Sequence, residues 1–86
     1  MQMLEVGKKY LICTLTRYYV GEVVECSPIK TLLKNASWIP DTGRFNECLK
    51  NGTFTEVEPF PDEVIINTMM VVDAAEWDHP LPRKAK

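Results

Sequence analysis

The residues able to do chemistry in this chain are few and poorly grouped. His79 is the only histidine. It stands beside Asp78 in the proline-punctuated stretch "AEWDHPLP", and sequence spacing places no serine or cysteine with it as a nucleophile would need. Cys13, Cys26 and Cys48 are odd in number, lack a Cys-x-x-Cys spacing and sit in apolar patterns. They read as inert, reduced thiols of a cytoplasmic protein. A structural zinc site would need its ligands closer together than His79 and these cysteines stand. Glu56 and Glu58 alternate beside Pro59 as solvated charge. There is no glycine-rich phosphate loop. The expectation is a protein that is not an enzyme and takes no metal or cofactor.

Binding is what remains, and composition narrows the partner. Twelve acidic residues oppose ten basic ones, for a net charge of −2. The bases are scattered and gather only at "PRKAK", a tail read as a solubilising end. Phosphate contacts dominate nucleic-acid affinity, so a missing basic stripe argues against tight, nonspecific binding of DNA or RNA. No apolar run approaches the ~20 residues that span a bilayer, so no membrane partner is expected. The 86 residues read as a single domain, 1–86, with 1–7 and 78–86 as extended or flexible ends. A domain of this size buries only about 60–65% of its unfolded surface. It usually needs disulfides, a metal or oligomerisation, and only the last is left.

Hydrophobic periodicity places the elements. "KKYLICTLTR" alternates, with Leu11, Cys13 and Leu15 on one face and Tyr10, Ile12, Thr14 and Thr16 on the other. β-branched and aromatic residues favour a strand there. Arg17 marks a reversal into "YYVGEVVEC", apolar on both faces and interrupted by Gly21. A glycine in a strand relieves crowding where the strand bends against its neighbour. "SPIK" makes a prolyl turn, and "TLLKNASWI" a third strand ended by Pro40. In "DTGRFNECLKNG" the period changes: Phe45, Cys48 and Leu49 form one stripe. This predicts a helix over 42–51, capped by Asp41 or Thr42 and stopped at Gly52. "TFTEVEPFPDE" reads as a connector, and "VIIN" and "MMVVDA" as two further strands around Asn67 and Thr68. The fold class is therefore all-β: a small five-stranded, strongly bent barrel of SH3-like or OB-like type with one helix inserted between strands 3 and 4.

The stretch "KKYLICTLTRYYVGEVVECSPIKTLLKNA" resembles the first motif of the Sm and Sm-like (LSm/Hfq-type) proteins. Gly21 takes the motif glycine, Val23 the apolar position after it, Leu32 and Leu33 the third strand, and Ala36 the small residue that follows. "VIINTMMVVDA" resembles the second motif. Similar short Sm-like chains occur in bacterial and phage genomes. Two turns depart from the family pattern. "SPIKT" stands where RNA-binding members carry an Asp-x-x-x-Asn turn, and "NTM" replaces a basic Arg-Gly turn. Neither threonine nor methionine clamps a phosphate as arginine does.

The resemblance implies the SH3-like type of barrel and a cytoplasmic homo-oligomeric ring of roughly five to seven copies, closed by pairing the fourth strand of one with the fifth of the next. Val64, Ile65, Ile66, Met69, Met70, Val71 and Val72 would form that interface. Lys30, Thr31, Asn67 and Thr68 would face any single-stranded RNA at the pore. Tyr18, Tyr19, Trp38, Phe54, Phe60 and Trp77 read as packing residues before stacking platforms. Two functions follow: a ring that binds RNA with altered specificity, or a structural adaptor ring that holds a protein partner, through the inserted helix or the ring surface, and no nucleic acid.

Overall fold

The computed structural model describes residues 4–86, so part of the expected N-terminal end lies outside the described residues. The elements are β1 (Lys9–Thr14), β2 (Tyr18–Cys26), β3 (Lys30–Asp41), α1 (Phe45–Asn51), β4 (Glu56–Pro59), β5 (Val64–Asn67) and β6 (Val71–Glu76), with a 3-10 turn at Thr68–Met70. The sheet is antiparallel and runs β4-β3-β2-β1-β6, while β5 pairs with the first part of β3. An all-β chain with one helix between its third and fourth strands is therefore observed. The expected closed, five-stranded barrel is not: among the described residues there are six strands in an open sheet, and no ladder joins β5 to β6.

The bend in this sheet has a local cause. Residues Lys30–Leu33 of β3 pair with β5, whereas Ser37, Trp38 and Asp41 pair with β4. Between these parts Asn35 adopts a φ of 51°, a left-handed conformation that asparagine tolerates better than most residues. The β2–β3 register slips there, from Val20↔Ser37 to Glu22↔Lys34. Asn35 and Ala36 thus oppose the single residue Gly21, forming a β-bulge that kinks β3. A Cβ on Gly21 would lie 2.9 Å from Ala36 Cβ and 3.3 Å from Leu33 Cβ. The glycine sits where the two strands come too close for a side chain.

β4 falls inside the stretch read as a connector. "EVEP" is too short to show a period, and its partner is the far end of β3, which continues past the expected stop through Pro40 to Asp41. The β3–β4 register is irregular between Trp38 and Asp41, where Pro40 falls, as expected of a proline, which a sheet tolerates at a bulge. The stretch expected as a strand from Met69 begins instead with the 3-10 turn, capped by Asn67 Oδ1 accepting from Met69 N–H at 2.9 Å.

Alternation along β1 and β2 builds two cores. Tyr10, Ile12, Val23, Leu33, Ala36 and Ile66 fill one side. Leu11, Val20 and Ile39 face the other side, where Cys48 of α1, Phe54, Val57 and Trp77 cover them. Helix α1 starts three residues later than expected because Asp41 Oδ1 accepts from Gly43 N–H at 2.8 Å, a local turn that competes with capping. Its N-cap is Arg44, which makes no side-chain cap bond. Gly52 ends the helix with φ 71° and donates to Cys48 O.

Residues 77–86, of which 78–86 were expected as an extended or flexible end, cross this second core and are fastened at several points. Trp77 is buried, and its ring stacks on Phe54 at 5.0 Å. Ser37 Oγ donates to Pro82 O, and Arg83 donates to the carbonyls of Ala36 and Phe60. Lys86 and Val57 exchange two backbone hydrogen bonds of 2.9 Å.

Candidate interaction surface

Two hairpin turns and the 3-10 turn meet at one end of the molecule, and hydroxyl side chains shape the hairpin turns. Thr14 Oγ1 accepts from Arg17 N–H at 3.0 Å and donates to Arg17 O. Ser27 Oγ does the same with Lys30 N–H, also at 3.0 Å, and Lys30 O. With their polar backbone groups turned inward, the tips present Leu15 and Ile29 to water. Leu15 N–H donates to Met70 O and Thr68 N–H to Ile29 O, which ties both tips to the 3-10 turn. Leu15 and Ile29 are each 70% exposed, Met69 76%, Ile65 62% and Val72 58%. Five exposed apolar residues gathered around an uncharged segment, 64–72, make a patch that soluble proteins generally reserve for contact.

The four residues expected to face RNA converge here, but only two reach solvent. Lys30 pairs with Asn67 and Thr31 with Ile66 across the β3–β5 ladder. Thr31 and Thr68 are fully buried, and their hydroxyls share a 2.6 Å hydrogen bond, with Cys26 Sγ 3.4 Å from Thr31. They satisfy one another and leave no donor for a ligand. Lys30 forms an ion pair with Glu25 at 3.3 Å, and the side-chain oxygen of Asn67 is occupied by its cap.

The seven expected interface residues also separate. Ile65, Met69 and Val72 point outward, Val64, Met70 and Val71 are half-buried, and Ile66 belongs to the first core, with Ile12 and Leu33. A groove of about 160 Å³ opens between the β1–β2 turn and β5, lined by Thr14, Thr16, Tyr19, Ile65, Asn67 and Met70. β5 is paired only with β3, and β6 only with β1. Each therefore has one edge without a partner strand among the described residues. Pattern reading places Leu15 on a strand face with Leu11 and Cys13, whereas β1 ends at Thr14 and Leu15 lies in the turn. Ile29 is missed because a lone apolar residue in a turn carries no period. The signal available was the hydroxyl residue just before each tip.

Elsewhere the polar groups are accounted for. Among the described residues no buried side-chain nitrogen or oxygen lacks a hydrogen-bond partner. Nor does any group of three His, Cys, Asp or Glu residues converge as a metal would need. Burial pushes the Cys48 thiol up from its ordinary value. Tyr18 is also raised, first by desolvation and then by neighbouring Cys13. Lys8 is raised by its hydrogen bonds to Glu76 and Glu5. The aromatic rings mostly engage one another: Tyr18 with Phe45 at 5.9 Å, Tyr19 with Phe60 at 6.1 Å, and Arg17 over Trp38 at 4.9 Å. A larger cleft of about 400 Å³ mixes Arg44 and Lys86 with Glu47 and threonines, so it favours no one charge. No helix among the described residues is long and apolar enough to cross a membrane. Compared with protein-family models, curated proteins and solved structures, the chain matches none.

Proposed function

We propose that this chain is a non-catalytic, Sm-like module that assembles into a homo-oligomeric ring and serves as a structural adaptor for a protein partner. One observation carries the reading. The free edges of β5 and β6 flank the same 3-10 turn and carry the exposed residues Ile65 and Val72. An apolar strand edge left open is a template for another strand and is normally blunted by charge, proline or a bulge. The segment 64–72, which holds β5 and the first two residues of β6, has no charged residue and no proline. Further along, β6 carries Asp73 and Glu76, and its ladder with β1 bulges at Val72. Pairing β5 of one copy with β6 of the next covers both edges with one repeated contact.

Between the two functions, the end of the molecule that would line a pore favours protein over RNA. Its exposed large apolar residues are Leu15, Ile29 and Met69, Lys30 is paired with Glu25, Arg17 of the β1–β2 turn lies over Trp38, and two of the four expected RNA contacts are buried. Phosphate binding draws its affinity from free cations.

Light scattering of the purified protein, with and without nuclease, tests this. The expected result is one multimeric species free of nucleic acid, which Val72→Asp converts to a folded monomer. A wild-type monomer at high concentration refutes the assembly. A multimer carrying nucleic acid that nuclease removes refutes the adaptor reading in favour of RNA.

A further inference from the structure

We infer that helix α1 and the C-terminal strap, residues 77–86, form a single latched cover that opens from the sheet as one unit while the rest of the fold stays closed. Helix α1 has little means of standing alone. It spans seven residues, and its N-cap arginine makes no side-chain bond. Isolated helices much shorter than about 12 residues are not stable in water. It is held by its packing on the sheet and by the strap. His79 Nε2 lies 2.8 Å from Leu49 O, a carbonyl of the last helical turn, where such groups otherwise lack partners. The imidazole also packs over Gly52, where a Cβ would come within 2.5 Å of the ring. Trp77 meets His79 edge-on at 4.9 Å and lies in the same core cluster as Cys48.

The strap depends on its surroundings in turn. It has no regular secondary structure. Its backbone ends in the reciprocal Lys86–Val57 pair on β4, and near its start Lys9 Nζ donates to His79 O. Helix and strap thus meet through His79, beside fastenings of their own to the sheet (Phe45 on Tyr18 for the helix, Pro82, Arg83 and Lys86 for the strap), and neither covers Leu11, Val20 and Ile39 alone. Ile12, Val23 and Leu33, on the other side of the sheet, belong to a separate cluster. Cooperative units that open below the global unfolding free energy have this character: few shared fastenings and exposed backbone bonds.

Native-state hydrogen exchange of the unmodified protein in low urea is the test. The reporter amides are those of Cys48 and Gly52 in the helix, and Val57 and Lys86 at the strap junction. Thr14 and Val23 report the sheet; all six donate backbone hydrogen bonds. The four cover amides should exchange with one common free energy and urea dependence, below that of Thr14 and Val23. His79→Ala should lower protection at all four in step, by about tenfold for the loss of one hydrogen bond, and leave Thr14 and Val23 unchanged. Equal protection of cover and sheet overturns the proposal, as does helix loss without strap loss. So does a His79→Ala effect that spreads equally to the sheet amides.

Discussion

Replacing Gly21 with alanine tests the account of the bend. The new methyl carbon would lie 2.9 Å from Ala36 Cβ and 3.2 Å from Ala36 Cα, whereas non-bonded carbons settle at about 3.5–4.0 Å. β2 and β3 must move apart by several tenths of an ångström at a fully buried position, and such overpacking costs about 1–3 kcal/mol. Restricting the unfolded chain returns about 0.4–1 kcal/mol. The net destabilisation is then roughly 1–2 kcal/mol, against a total of about 4–13 kcal/mol for a domain of this length. Urea denaturation followed by tryptophan fluorescence measures it as a lower midpoint at unchanged slope, and the melting temperature should fall by about 4–15 °C. Ala36→Gly removes the atom struck, so the double variant should be more stable than the sum of the single effects by at least about 0.5 kcal/mol. A neutral or stabilising Gly21→Ala, or strictly additive effects, refutes the close-approach argument.

Other outcomes follow from the same contacts. Thr31→Val strands the Thr68 hydroxyl in a buried site and should destabilise by about 1–3 kcal/mol, while Thr31→Val with Thr68→Val should recover much of that loss in the same assay. Gly52→Ala meets both a φ of 71° and the His79 ring, so its melting temperature should fall; adding His79→Ala should restore only the part due to the clash. Thiol labelling of the folded protein should modify half-buried Cys13 and Cys26 first and reach buried Cys48 only on unfolding. Because Cys48 is raised in the folded state, the unfolded chain loses that proton first. Its contribution is therefore complete below the thiol's ordinary value near 9.0 and is lost as pH rises further, with raised Tyr18 acting in the same direction. The urea midpoint should decline above about pH 9, and a rise there contradicts the assignment.

Much of this protein was legible as pattern. Alternation in "KYLICT" and "YYVGEVVEC" located β1 and β2, the stripe Phe45, Cys48, Leu49 located α1, and Gly52 its end. These are local properties, set by side-chain period and by backbone freedom at single residues. Gly21 could be tied to a bend from sequence, but Asn35 and Ala36 as the opposing bulge could not, because register across two strands is a tertiary property. For the same reason β4 stayed hidden: four residues carry no period, and only the far half of β3 makes them a strand. Whether the sheet closed was likewise undetermined. The candidate surface divides in the same way. Residue type brought Lys30, Thr31, Asn67 and Thr68 forward together, and the β3–β5 ladder does bring them to one end. Which side chains face water there was decided only by packing, which buried both threonines against each other and left Leu15, Ile29 and Met69 outside. The strap is the clearest case. "WDHPLPRKAK" has the composition of a solvated tail, yet Trp77 completes a core and His79 a helix end, because the uncovered face of the sheet lies within reach of its backbone.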